Sequence, residues 1–126
     1  MPLASNCRIV VFEPDLLFSS KIQSAAGKKG FDVIVVTNFD ELRRELEKPR
    51  PSLLVLSLDS LGTSLGETQT FIRLKAEECV GYYSHVNTRV ADEARKLAIG
   101  TVVSRGAFFS KLEDILDRSS GSPQSF

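Results

Sequence analysis

The sequence is poor in the side chains that most often build metal centres or disulfide frameworks. Among its 126 residues it has one histidine and two cysteines. No histidine or second cysteine stands at ligand spacing from Cys7 or Cys79, so the pattern of a metal half-site is missing. Isolated cysteines in a reducing compartment are usually buried thiols. We therefore expect two structural cysteines and no metal site.

An excess of charge of one sign is also missing. Sixteen basic residues balance sixteen acidic residues, so no overall field favours nucleic acid or an anionic membrane as a partner. The apolar runs are far too short to cross a bilayer. The opening MPLASNCR lacks the charged and apolar regions of a secretion signal. We expect a cytoplasmic protein that binds neither nucleic acid nor membrane.

What the sequence does have is a regular alternation of short apolar runs and longer amphipathic segments. Its 42% apolar and 25% charged residues suit one globular domain, which we place at residues 1–118, with 119–126 as a flexible tail. Apolar runs of strand length occur at residues 9–12, 33–36, 53–56, 79–83 and 101–103. Because each run is apolar throughout, the pattern predicts a parallel sheet covered by helices on both faces.

Five helices are predicted between and after these strands. The first covers residues 15–29 and ends at Gly30, and the second begins where Asn38 and Glu41 form a capping pair. Residues 57–66 are rich in glycine and hydroxyl side chains and predict a loop before a weaker third helix. Asn87 is expected to cap the fourth helix. The fifth has its apolar face at Phe108, Leu112, Ile115 and Leu116.

Functional residues of such a sheet are expected beyond the carboxyl ends of its strands. The polar or charged candidates there, with one proline, are Glu13, Pro14, Asp15, Ser57, Asp59, Ser84, His85, Ser104 and Arg105.

Four stretches together resemble the receiver domain of two-component response regulators. IVVFEPDLLFSSKI is similar to the opening strand, acidic pair and first helix of that family, and PSLLVLSLDSLG to the strand that ends in the phosphorylated aspartate. VGYYSH is similar to the fourth strand with its hydroxyl residue, and VVSRGAF to the fifth strand with its Lys-Pro-aromatic ending. The resemblance covers about residues 8–118. It implies a three-layer α/β/α, flavodoxin-like fold whose five parallel strands have the order 2-1-3-4-5.

The resemblance also shows which of the family's metal and phosphorylation residues are missing. Glu13 matches one acid of the pair that binds Mg²⁺ in the family, but Pro14 falls on the other. Ser57 falls on the phosphoacceptor aspartate. Because Mg²⁺ requires several hard oxygen ligands, and a serine cannot form an acyl phosphate, we predict no phosphorylation of the family's type. Asp15 and Asp59 lie off the matching positions and are interpreted as solvated loop acids.

The residues that read the phosphoryl signal in the family are only partly matched. Ser84 matches the hydroxyl residue, and Arg105 falls on the lysine, or Ser104 does if the register slips by one residue. Val102 stands where the family has its switching aromatic residue. We expect Arg105 either to pair with Glu13 through its guanidinium fork or to be exposed to water.

Two other kinds of function compete with a receiver-like module. Ser57, His85 and Asp59 are the residue types of a hydrolytic triad, but Ser57 lacks the G-x-S-x-G elbow. A small flavodoxin-like protein that binds a cofactor or an anion stays as an alternative, because LGTSLGET offers glycines and hydroxyls. The loop FEPD after the first strand repels phosphate instead. A receiver regulated by non-aspartyl chemistry is a further alternative.

We therefore predict a degenerate receiver, or pseudo-receiver, with no catalytic residue and no cofactor, which acts in signal transduction as a phosphorylation-independent interaction module. Its partner would be a protein, such as a kinase or an output protein. By the resemblance, the contact surface comprises the fourth helix, the fifth strand and the fifth helix, which also predicts a weak homodimer. Tyr82, Tyr83, Phe108 and Phe109 could supply aromatic anchors there, although helical spacing places at least Phe108 in the core first.

Overall fold

The computed structural model describes residues 7–75 and 78–119, which form one parallel sheet with helices on both faces. The strands are β1 (Arg8–Phe12), β2 (Asp32–Val36), β3 (Leu53–Ser57), β4 (Cys79–Tyr83) and β5 (Thr101–Ser104). The helices are α1 (Leu16–Lys28), α2 (Phe39–Leu46), α3 (Leu58–Leu61), α4 (Leu65–Lys75), α5 (Thr88–Lys96), α6 (Arg105–Ser110) and α7 (Leu112–Ser119), with a 3₁₀ turn at Gly62–Ser64 between α3 and α4.

The sheet has the strand order β2-β1-β3-β4-β5, and every neighbouring pair is parallel. This confirms the predicted three-layer architecture and strand order. All five residues of β3 are buried, as expected for the central strand of a sheet covered on both faces. The carboxyl ends of the strands share one edge, where Ser57 of β3 is in register with Tyr82 of β4.

Successive residues of each strand contribute to two cores on opposite faces of the sheet. Val10 and Leu54 pack with helices α2, α4 and α5, whereas Ile9 and Val55 pack with α1, α6 and α7. Cys79 lies in the first core, and its burial raises the pKa of the thiol to about 12. Cys7 packs at the margin of the second core. Cys79 is thus a buried core thiol as expected, whereas Cys7 is only half-buried.

The predicted loop at residues 57–66 is wrong for most of its length, because it contains α3 and the 3₁₀ turn. Leu58, Leu61 and Leu65 are all buried, and their spacing of three and four residues places them on one helical face. The glycines and hydroxyl residues between them hid this pattern. The predicted fifth helix is also divided, because α6 ends at Ser110 and α7 begins at Leu112.

Several predicted helix ends are confirmed, and one is not. The Asp15 side chain accepts a hydrogen bond from the Leu17 N–H at 2.9 Å and caps α1, so Asp15 is not merely a solvated acid. Asn38 caps α2 by accepting from the Glu41 N–H at 2.9 Å. Asn87 stands at the start of α5, but its side chain makes no capping bond. Gly30 follows α1 with a φ of 84°, which favours glycine.

Helix α7 includes Ser119, the first residue of the predicted tail. Ser119 belongs to α7 and is buried, and its hydroxyl donates to the Ile115 carbonyl at 2.9 Å. The rest of the predicted tail, residues 120–126, lies outside the described residues. Among the helices of the described segments, none is long and apolar enough to cross a membrane.

Candidate functional site

Glu13 follows β1 directly and is buried, with 3% of its surface exposed. One carboxylate oxygen, Oε1, accepts a hydrogen bond from the Tyr82 hydroxyl of β4. The other, Oε2, accepts from the Asp15 N–H at 2.9 Å. A buried carboxylate is stable only when its oxygens have partners, and here the chain itself supplies one donor to each.

Tyr82 is the partner of Glu13 that the sequence did not indicate. It is 1% exposed, and burial, reinforced by the Glu13 carboxylate, raises the pKa of its phenol. The phenol therefore stays protonated and donates. Its ring lies 4.8 Å from the Phe108 ring and 5.7 Å from the Phe109 ring, centroid to centroid. The bond to Glu13 thus ties the β1–α1 connection to the aromatic core under α6.

Ser57 ends β3 in a buried position, with 5% of its surface exposed. Its hydroxyl oxygen lies 3.1 Å from that of Ser60 in α3. Among the described residues, no carboxylate or imidazole is within hydrogen-bond distance of the Ser57 hydroxyl. The serine therefore lacks the adjacent base that would activate it as a nucleophile.

Asp59 has a structural role, and its interpretation as a solvated loop acid is wrong. Its Oδ2 accepts from the Ser84 N–H at 2.9 Å, and its Oδ1 accepts from the Asn87 side-chain amide at 2.8 Å. These bonds join α3 to the β4–α5 connection. They also explain why Asn87 does not cap α5, because its side chain is directed to Asp59 instead.

His85 lies exposed in the turn between Ser84 and Asn87. Asp59, which would orient the histidine in a triad, instead accepts hydrogen bonds from the Ser84 N–H and the Asn87 side-chain amide. The residue types of the triad are therefore near one another in the fold but are not connected as a triad.

Arg105 is placed differently from both sequence-based expectations. Its guanidinium lies over the Phe18 ring, 4.4 Å from the centroid, and the side chain is half-buried. Within the described segments, no ion pair joins it to Glu13, whose oxygens are occupied by Tyr82 and Asp15. Stacking on an aromatic ring is a favourable arrangement for arginine. Ser104 accepts from the Ala107 N–H at 3.2 Å and caps α6.

Two of the four expected aromatic anchors are core residues. Tyr82 and Phe108 are essentially inaccessible, so they are not available to a partner. Phe109 is half-buried, with the Lys21 ammonium 5.7 Å from its ring centroid. Tyr83 is half-buried as well, and the Arg95 guanidinium lies 5.8 Å from its ring centroid. Of the four expected anchors, Phe109 and Tyr83 contribute to the surface, and Tyr82 and Phe108 do not.

The residues at this edge do not fit the Mg²⁺ ion that binds at this place in the resembled family. Glu13 is satisfied by protein donors, Pro14 has no ligand atom in its side chain, and Ser57 is neutral. In the part of the chain that the structure describes, no three histidine, cysteine, aspartate or glutamate side chains are grouped to bind a metal.

The sequence matches no protein-family model and no curated protein. Solved structures of response regulators are nevertheless similar to it in fold. One from Thermotoga maritima has 14% identity and a TM-score of 0.74, covering 93% of this chain and 99% of that one. An orphan response regulator of H. pylori has 9% identity and a TM-score of 0.70, covering 93% and 96%.

A third similar structure is the phosphorylated cyanobacterial phytochrome response regulator, with 18% identity and a TM-score of 0.67, covering 94% of this chain and 92% of that one. The chain has the receiver fold. At these identities the likeness establishes the architecture, and the chemistry of the site must be argued from the residues of this chain.

Proposed function

We propose that the chain is a cytoplasmic, receiver-type signalling module that acts through protein contacts and without phosphorylation of an aspartate. The observation that carries the proposal is the buried Ser57 at the end of β3, in the position that the resemblance assigns to the phosphoacceptor. A serine hydroxyl can neither anchor Mg²⁺ as a carboxylate does nor form an acyl phosphate.

The environment of Glu13 supports the same conclusion. In a metal-dependent receiver this acid would have to present an oxygen to the ion. Here Tyr82 and the Asp15 backbone each donate to one oxygen within the protein, so a metal ion would compete with two hydrogen bonds that already stabilise the buried carboxylate. We propose no catalytic role for this edge, because Ser57 has no base beside it and His85 is exposed.

For the contact surface we propose the face of α5, β5 and the divided fifth helix, α6 and α7, with a kinase or an output protein as the partner. Tyr83 with its stacked Arg95 lies on this side of the sheet, and the nearby Val86 is 76% exposed. An aromatic side chain beside an arginine is a common centre of a protein interface. The same face would support a weak homodimer.

The phosphorylation part of the proposal is tested by NMR on the ¹⁵N-labelled chain. Millimolar Mg²⁺ with beryllofluoride, and separately acetyl phosphate, should leave the amide signals of Ser57, Ser84 and Arg105 unchanged. Ser57→Asp alone should respond no better, because Pro14 still withholds a ligand, whereas Ser57→Asp with Pro14→Asp should gain weak Mg²⁺ binding. Mg²⁺-dependent shifts or a phosphorylated mass in the unmodified protein would contradict the proposal.

The contact surface is tested by light scattering across a concentration series. Charge reversal by Arg95→Glu or Lys111→Glu should weaken any self-association through this face. Asp40→Lys on α2, at an exposed position on a different helix, serves as the control. A tight dimer that is insensitive to the first two substitutions would assign the interface to another surface.

A further inference from the structure

A cleft of about 450 Å³ opens between the α3–α4 connection and helix α5, next to the Asp59 carboxylate. Its size is within the range of small-molecule sites. Leu65 and Val90 provide its apolar floor. Its other lining residues are Asp59, Gly62, Thr63, Gly66, Asn87, Arg89 and Glu93. The function proposed above does not use this cleft.

Gly66 is an unexpected residue in the wall of the cleft. It lies in the first turn of α4, where glycine is less favourable than alanine by helix propensity. Its φ is not in the left-handed region, and a Cβ atom at this position would have no heavy atom within 4 Å. Neither backbone conformation nor packing therefore requires glycine here. Its effect is to leave the cleft open on this side.

Two opposite charges lie four residues apart on α5 at the margin of the cleft. Both side chains are exposed, and among the residues that the structure describes neither Arg89 nor Glu93 takes part in an ion pair. Asp59 also lines the cleft, but both of its oxygens already accept hydrogen bonds from Ser84 and Asn87. The groups available to a ligand are thus one cation, one anion and the Thr63 hydroxyl.

We infer that this cleft binds a free α-amino acid with an apolar side chain. The ligand carboxylate pairs with Arg89 and its ammonium group with Glu93, while its side chain covers Leu65 and Val90. A zwitterionic ligand can pair with Arg89 and Glu93 at the same time, whereas a ligand with one charge can pair with only one of them. The cleft adjoins Asp59, whose two hydrogen bonds hold the β4–α5 connection. A ligand in the cleft would therefore change the surroundings of these bonds at the carboxyl edge of the sheet.

The test is a titration of the full ¹⁵N-labelled chain with L-leucine, L-valine and L-phenylalanine. Leucine should shift the amide signals of Gly66, Arg89 and Glu93, with a dissociation constant on the order of 1 mM for so open a site. N-acetyl-leucine lacks the ammonium group and leucinamide lacks the carboxylate. Each should bind at least about tenfold more weakly, since each loses a charge-assisted contact.

Variants separate a ligand site from an empty groove. Gly66→Leu should abolish the shifts by filling the cleft, and Arg89→Gln should weaken leucine binding while leaving the fold intact, because Arg89 is exposed. Gly66→Ala is the mild control for folding and should raise the melting temperature. Absence of shifts with all three amino acids would overturn the inference. So would equal binding of N-acetyl-leucine, or leucine binding that Gly66→Leu leaves unchanged. None of these outcomes depends on Mg²⁺ or phosphorylation, so they leave the proposed signalling role to its own test.

Discussion

Glu13 and Asp59 are both acids that follow a strand at the same edge of the sheet, yet the protein holds them in different ways. Glu13 is buried and bound by Tyr82 beneath an aromatic cluster. Asp59 is half-buried, bound by a backbone N–H and an amide, and borders an open cleft. One side of the edge is thus closed into the core, whereas the other is polar and accessible.

The difference indicates which part of the edge a ligand or a partner protein can alter. On the Glu13 side, any change must disturb buried hydrogen bonds and packed rings, which costs several kcal/mol. On the Asp59 side, the clamp on the β4–α5 connection is held by bonds to a half-buried acid, so a ligand or partner can alter it more readily. We expect the Glu13 side to contribute more to the free energy of unfolding, and the Asp59 side to change its structure when a ligand or partner binds.

The largest effect is expected when the aromatic body of Tyr82 is removed. Tyr82→Ala deletes a side chain that is 1% exposed and packed on Phe108, so it should lower the free energy of unfolding by about 3–5 kcal/mol. The matched change Tyr83→Ala removes a half-buried ring and should cost clearly less. Urea denaturation of both variants measures the difference. Equal losses would show that the buried Tyr82 ring contributes no more to stability than the half-buried Tyr83 ring.

Removing only the hydroxyl of Tyr82 isolates its bond to Glu13. Tyr82→Phe keeps the ring but leaves one oxygen of a buried carboxylate without its donor, so the free energy of unfolding should fall by about 1–3 kcal/mol. Combining Tyr82→Phe with Glu13→Gln in a double-mutant cycle measures the coupling between the two groups. Strictly additive losses would show that the bond contributes nothing of its own.

The same variant has a defined signature at high pH. The pKa of Tyr82 is raised in the folded protein, so above the unfolded pKa of about 10 the folded state retains a proton that the unfolded state has lost. The free energy of unfolding of the wild type should therefore fall as pH rises above 10, by at most about 1.4 kcal/mol per pH unit. Tyr82→Phe lacks this contribution. Cys79, whose pKa is also raised, affects both proteins equally and cancels in the comparison.

Loss of the Asp59 clamp should have a smaller effect. Asp59→Ala removes two hydrogen bonds of a half-buried acid, which should lower the free energy of unfolding by about 1–2 kcal/mol. Hydrogen exchange should increase first at the Ser84 amide, which loses its acceptor. Asn87→Ala, which removes one of the two bonds, should lower stability by about half as much. A loss in Asp59→Ala as large as in Tyr82→Ala would contradict the contrast between the two sides.

The sequence predicted the fold well because its signals are local and repeated. Each apolar run is interrupted by residues that end a strand, and parallel strands place their carboxyl ends together whatever the helices do. Ser57, Glu13 and Ser84 could therefore be assigned to one edge without the structure. The hydrogen-bond partners of these residues could not be predicted, because the sequence is equally compatible with Tyr82 as a buried strand residue or as a surface anchor. Only the register between β3 and β4, and the packing on Phe108, decide between them.

The smallest expected effect concerns Arg105, where both sequence-based interpretations failed for the same reason. Each assumed that an arginine must meet either a carboxylate or water, whereas the Phe18 ring of α1 provides a third partner at 4.4 Å. Arg105→Ala should lower the free energy of unfolding by only about 0.5–1 kcal/mol, which is typical of a half-exposed cation on an aromatic ring. Arg105→Lys should recover part of this loss, and Arg105→Met should recover mainly the apolar contact. The order of stability of the three variants in urea denaturation therefore shows how much the positive charge contributes. If Phe18→Leu made Arg105→Ala neutral, the stacking contact would account for the whole effect. An Arg105→Ala loss above 2 kcal/mol that Glu13→Gln suppresses would instead show that Arg105 acts on the buried carboxylate, and the two sides of the edge would then be electrostatically coupled.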